Sequence, residues 1–162
     1  MSHTVTEVAG RSGVRELLLV DDEPADALLA KEALRASGAQ LSMNIVSSGK
    51  AAVSWLSKRV DGGGAPKLVL VLLDLNMPVW DGEATLKHIR HDPKICLTPV
   101  VFLTTSSNER DVERAYGAGA NGYVCKPLNF ADFTKFFASL DSFWADYIVP
   151  PKAPPREPPS WL

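Results

Sequence analysis

The sequence is short of several common signatures, and each shortage narrows what the protein can do. It has two cysteines, Cys96 and Cys125, with no CxxC spacing. They offer neither a disulfide framework nor a thiolate metal site, and Cys125, in an apolar strand-like run, reads as a reduced, buried thiol. No apolar run is long enough to span a bilayer, and Met1 to Gly13 lacks the apolar centre of a signal peptide. A net charge of -2 leaves no basic excess to attract nucleic acid or an anionic membrane. His3, His88 and His91 form no metal-ligand spacing with acids, and His88 and His91 read as decoration on a helix end. The run from Gly62 to Lys67 lacks the spacing of a phosphate-binding loop and precedes a strand, not a helix. There is no internal repeat. The expectation is a cytoplasmic protein with no nucleic-acid or membrane partner. At 162 residues it makes one domain with a large enough core, plus tails.

What is present is a series of short apolar runs, each ending in polar chemistry. Leu68 to Leu73 has no alternating polar residue, so it reads as a strand buried on both faces. It ends in Asp74, and Met77-Pro78 then stops regular structure while Asp81-Gly82 offers a helix cap. Leu17 to Val20 is a similar strand, ending in Asp21-Asp22-Glu23. Pro24 suits the first turn of the following helix, which carries Ala27, Ala30, Ala33 and Leu34 to a stop near Gly38. Leu41 to Val46 is a strand. Ser47 or Ser48 then caps a helix with Ala52, Val53 and Leu56. Thr85 to Arg90 is helical with Leu86 and Ile89 inward. Pro99 to Leu103 is a fourth strand ending in Thr104, and Asn108 opens a helix that fades at Gly117 and Gly119. Gly122 to Cys125 is a fifth strand ending at Lys126-Pro127. Five alternations of strand and helix predict a parallel sheet with helices on both faces. With right-handed crossovers, the junctions at Asp21-Asp22, Asp74, Thr104 and Lys126 share one edge of that sheet.

Taken singly, each of these residues has a bland reading. Asp21-Asp22 would be a helix cap, Asp74 a turn residue, Thr104 a strand-end hydroxyl and Lys126 a solvated lysine. Together they make a different object. Three carboxylates at one edge repel each other and call for a cation or a buried base nearby. A hard divalent ion such as Mg²⁺ takes oxygen ligands, typically one or two carboxylates plus water and phosphate. A lysine and a hydroxyl opposite would complete a phosphoryl site, as charge neutraliser and hydrogen-bond donor.

Asp21-Asp22, Asp74, Thr104 and Lys126-Pro127, with Asp74-x-Asn76-Met77-Pro78-x-x-Asp81-Gly82, resemble the signature of the receiver domain of two-component response regulators. The likeness covers residues 15–148, with residues 1–14 a flexible leader and 149–162 a proline-rich tail. It implies a flavodoxin-like, doubly wound sheet of five parallel strands in the order 2-1-3-4-5, with five helices, the last one long. It further implies that Asp74 accepts a phosphoryl group from a histidine kinase. Asp22, Asp74 and the backbone carbonyl of Asn76 would hold Mg²⁺, and Asp21 would hold it through water. Thr104 and Lys126 would bind phosphoryl oxygens, Tyr123 would be the aromatic switch, and Lys126-Pro127 would be a cis peptide bond. Asn76 and Ser106 occupy the positions that tune acyl-phosphate hydrolysis. The implied protein is a signalling phosphoacceptor rather than an enzyme. A haloacid-dehalogenase-like phosphatase would want a second carboxylate where Asn76 stands. A pseudo-receiver with a dead site would not carry the complete set of groups.

From Asn129, capped with the help of Asp132, to Ile148 a helix of about 30 Å is predicted, longer than the roughly 17 Å of a five-residue strand. Its stripe is Phe130, Phe133, Phe137, Leu140, Trp144 and Tyr147. The first half is expected to cover the sheet, and Phe143, Trp144, Tyr147 and Ile148 to need another surface, such as a second subunit. Paired prolines at 150–151, 154–155 and 158–159 suggest a polyproline-II or disordered tail, with a docking strip ending in Trp161 a possibility. No room is expected for an output domain, which leaves protein contact or phosphorelay as the output. The Asp21-Asp22-Glu23-Pro24-Ala25-Asp26 start, the Leu103 to Ser107 run and Phe143-Trp144 resemble the stand-alone response regulators of bacterial and cyanobacterial phytochromes. That resemblance implies a homodimer and a bacteriophytochrome kinase as phosphodonor.

Overall fold

A computed structural model of the chain describes residues 15–62 and 69–148, and Ser160 beyond them. The leader, the glycine-rich stretch after Gly62 and the docking strip ending in Trp161 lie outside the described residues. The strands are β1 (Arg15–Val20), β2 (Leu41–Val46), β3 (Val69–Leu73), β4 (Val100–Thr104) and β5 (Gly122–Cys125). The helices are α1 (Pro24–Ser37), α2 (Gly49–Asp61), α3 (Gly82–His91), α4 (Glu109–Gly117) and α5 (Phe130–Tyr147). All strand pairs are parallel and the order is β2-β1-β3-β4-β5.

Local chemistry starts and stops these helices where the sequence suggests. Ser48 Oγ accepts from Ala51 N, Asp81 Oδ1 from Ala84 N, and Asn129 Oδ1 from Asp132 N. Each satisfies a first-turn N–H that the helix itself cannot. Gly38 closes α1 with a φ of 71°, a left-handed conformation that glycine adopts without a Cβ penalty.

The strict alternation of a strand sorts the core into two layers. Leu18, Val20, Val71 and Leu73 face one side and pack with Leu56, Leu86 and Ile89 from α2 and α3. Leu17, Leu19, Leu70 and Leu72 face the other and pack with Ala30, Leu34, Phe133 and Phe137 from α1 and α5. Every residue of β3 is buried, as a central strand covered on both faces must be.

On α5 the structure corrects part of the expected division. Phe133 and Phe137 are buried, but Phe130 is exposed. Trp144, expected to need a second surface, is 8 % exposed and belongs to the same cluster as Leu34 and Leu41; Ile148 packs against that cluster too. The physical reason is that α1 lies alongside α5 and, with the first residue of β2, offers the end of α5 an apolar surface in Leu34 and Leu41. Asp141 Oδ2 accepts from Gln40 N at 3.3 Å, just before β2. Phe143 and Tyr147 remain outside, 58 % and 72 % exposed, with ring centroids 6.3 Å apart. The two cysteines are free, with Cys96 buried and Cys125 exposed. The buried reading of Cys125 is thus wrong, because β5 is an edge strand and Cys125 is its last residue.

Candidate functional site

Strand register builds the site. Val20 pairs with Leu73, and the ladder runs one step further, with Asp74 N donating to Val20 O at 3.0 Å. That sets Asp21 beside Asp74, at the point where the strand order reverses and an open α/β sheet leaves a crevice. On the other side Thr104 pairs with Cys125, and Lys126 N donates to Thr104 O at 2.8 Å. Gly82 lets α3 come in against this edge. A Cβ there would lie 2.5 Å from both Asp74 O and a Phe102 ring carbon, so no other residue fits.

Four junctions therefore meet. Carboxylate oxygens of Asp21, Asp22 and Asp74 lie within 4.8 Å of one another, a spacing that a divalent cation can bridge. Asp21 is buried and Asp22 is exposed, so the cluster opens to solvent on one side. Lys126 Nζ is 2.9 Å from Asp21 Oδ2, 3.0 Å from Asp26 Oδ2 and 3.7 Å from Asp74 Oδ2. Thr104 is buried, and its Oγ1 has no hydrogen-bond partner among the described residues. A buried hydroxyl left unpaired costs free energy unless something at the site uses it.

Electrostatics follow from this geometry. Burial pushes the Asp74 carboxyl above its usual range; the Lys126 charge opposes that and the Asp21 charge adds to it. The Thr104 hydroxyl pulls weakly the other way, short of a formed hydrogen bond. For Lys126, burial alone would depress the amine, but hydrogen bonds to Asp21 and Asp26 and the Asp74 charge outweigh it and the net shift is upward.

Other sequence-predicted residues lie close by in different settings. Asn76 is exposed in the loop after Asp74. Ser106 Oγ donates to Asp111 Oδ2 at 2.6 Å, and its carbonyl accepts from Tyr123 Oη at 2.9 Å. Tyr123 is half-buried, its ring centroid 6.1 Å from that of Phe102. The expected cis bond is absent: no cis peptide occurs among the described residues, so Lys126-Pro127 is trans. The trans form is favoured by about 0.5–1 kcal/mol before proline. With it Lys126 already reaches both its backbone and its carboxylate partners. Asp26 was given no role from sequence, although five residues after Asp21 it lies on the first turn of α1, facing the amine. Val79, in the same loop as Asn76, has a φ of 67°, a strained value for a β-branched residue and one its sequence does not announce.

Comparison with known proteins agrees with this arrangement. The family profile described as the response regulator receiver domain matches residues 17–138. The response regulator Rcp1 of Synechocystis is 37% identical over 137 residues, spanning 85% of this chain and 93% of that protein. The crystal structure of the Mn²⁺-bound form of Rcp1 superposes with a TM-score of 0.68, covering 84% of this chain and 98% of that one. The phosphorylated cyanobacterial phytochrome response regulator RcpA superposes with a TM-score of 0.72 at 32% identity, covering 85% and 98%. The chain belongs to the response regulator receiver-domain family.

Proposed function

We propose that the chain accepts a phosphoryl group on Asp74 from the phosphohistidine of a histidine kinase, one of phytochrome type. The Asp74 oxygen bonds to phosphorus as the P–N bond breaks, and the imidazole leaves with the electron pair. A carboxylate becomes an effective nucleophile when it is held in line with its donor, and Asp74 is fixed by the ladder bond to Val20. Lys126 balances charge on the transferring group, and the Thr104 hydroxyl bonds one of its oxygens.

The acidic cluster fits a hard cation: Asp22, Asp74 and the Asn76 carbonyl would ligate Mg²⁺, with Asp21 acting through water. A bound Mg²⁺ supplies further charge neutralisation. The added phosphoryl charge draws Thr104 toward it and biases the face that reaches Tyr123, while Asn76 and Ser106 set the lifetime of the acyl phosphate. The output is protein contact or phosphorelay by a cytoplasmic homodimer. Its dimer contact uses Phe143 and Tyr147, since Trp144 and Ile148 are occupied within the subunit.

The observation that carries this reading is the buried, unpartnered Thr104 hydroxyl beside a carboxylate whose lysine stands 3.7 Å away. Radiolabelled acetyl phosphate with Mg²⁺ should label the wild-type chain and leave Asp74→Asn unlabelled. Undiminished labelling of Asp74→Asn would refute the assignment.

A further inference from the structure

Lys126 is held by more acid than a phosphoryl contact requires. An ammonium has three N–H donors. Asp21 and Asp26 take two of them, at 2.9 and 3.0 Å. The nearest Asp74 oxygen, at 3.7 Å, is too far to take the third as a hydrogen bond. Asp26 is the unexpected member. Its side chain is 43 % exposed and could be hydrated at little cost, yet it holds the amine from the α1 side. Lys126 is only 12 % exposed, so few other positions are open to its amine. Among the described residues, Asp26 and Asp21 are the carboxylates that hold the amine against the pull of Asp74, and Asp26 is the one that does so from α1.

We infer that Asp26 is a positioning residue that holds Lys126 off the Asp74 oxygen, leaving that oxygen free to attack and one Nζ–H directed at the gap the phosphoryl group fills. Two opposed carboxylates fix the amine before the reaction, so the charge that receives the phosphoryl group needs no rearrangement. If Asp26 is removed, Asp21 alone holds the amine, and the Asp74 oxygen, already at ion-pair distance of 3.7 Å, is the acceptor that the freed N–H turns to, so the nucleophile's lone pair is engaged by its own lysine. This rests on the proposed role of Asp74 as phosphoacceptor.

The test uses the full chain with labelled acetyl phosphate and Mg²⁺. The Asp74 oxygen–phosphorus bond forms as the phosphorus–oxygen bond to acetate breaks, and acetate leaves with the electron pair. Asp26→Ala should lower the initial labelling rate by up to about a hundredfold, the scale of a catalytic group misplaced by about an ångström. Asp26→Asn, a neutral acceptor of the same shape, should fall between Asp26→Ala and wild type, and Asp26→Glu should restore most of the rate. A merely structural loss would follow the melting temperature, which should hardly differ among the three variants because Asp26 is part-exposed on a first turn. Labelling of Asp26→Ala at the wild-type rate would overturn the inference. So would a Glu variant no better than Ala, or a rate loss that saturating Mg²⁺ restores. A wild-type chain that takes no label removes the phosphoacceptor role itself, a result distinguishable from all of these.

Discussion

At Asp74 burial and charge pull in opposite directions, and burial wins. The folded carboxyl is shifted upward, by desolvation first, so the native state holds its proton more tightly than the unfolded chain does. A raised carboxyl pKa favours folding below the unfolded value, and that contribution is lost as pH rises through the folded value. At neutral pH the ionised Asp74 is therefore a cost, increased by its closeness to Asp21. Asp74→Asn should raise the melting temperature of the cation-free protein at pH 7 by roughly 2–4 °C, the scale of ~1 kcal/mol in a chain of this length. The gain over wild type should shrink at pH 4, toward which the upward-shifted Asp74 increasingly takes up its proton. Equal gains at both pH values in a thermal melt would contradict the direction of the shift. The same residue thus carries a stability cost at the position where the chemistry needs an anion.

Between elements, the corresponding device is Arg90. It is 4 % exposed and has no carboxylate partner among its hydrogen bonds; five of them go to Gly119 O, Cys96 O, Thr98 O and Asn121 Oδ1. It ties the end of α3 to the loop before β4 and the loop before β5. Gly119, with φ 101°, leaves room for the guanidinium, which would sit 3.1 Å from any Cβ placed there. Arg90→Ala would leave several buried carbonyls unpaired and should cost about 3 kcal/mol or more, read from the urea midpoint at unchanged slope. The same change should leave labelling of Asp74 intact below the unfolding transition, because Arg90 lies on helix and loops away from the carboxyl edge. Loss of labelling in a folded Arg90→Ala protein would show that the two ends of the sheet are coupled.

For the whole molecule, the question is what α5 does beyond the sheet. Its inner face is fully employed within the subunit through Phe133, Phe137 and Trp144. Trp144→Ala should therefore destabilise the monomer by about 3–5 kcal/mol, as for other large core truncations. Phe143 and Tyr147 stand exposed on the same helix and together can cover apolar area on a partner. Replacing both by Ala should leave the melting temperature within a degree or two while shifting the sedimentation coefficient from dimer to monomer. A double variant with wild-type sedimentation would refute the proposed dimer contact, and a wild-type chain that already sediments as a monomer would refute the proposed homodimer. No described helix is long and apolar enough to cross a membrane.

The sequence by itself determined the elements and their polar ends. Uninterrupted apolar runs of this shortness, bounded by turn residues, read as doubly covered strands, and Ser48, Asp81 and Asn129 announce helix starts through side chains that bond locally. It also determined that Asp21, Asp74, Thr104 and Lys126 fall at strand ends, so a parallel sheet brings them to one edge. Tertiary structure alone decided distances and partners between segments remote along the chain. The Asp26–Lys126 pair spans 100 residues and depends on where α1 starts relative to β5. Trp144 goes inward because Leu34 of α1 and Leu41 of β2 offer it an apolar surface, a fact of packing that no periodicity in α5 contains. Cys125 lies exposed because β5 is an edge strand, and a strand's place in the sheet is a property of the assembled fold that short-range sequence patterns do not encode.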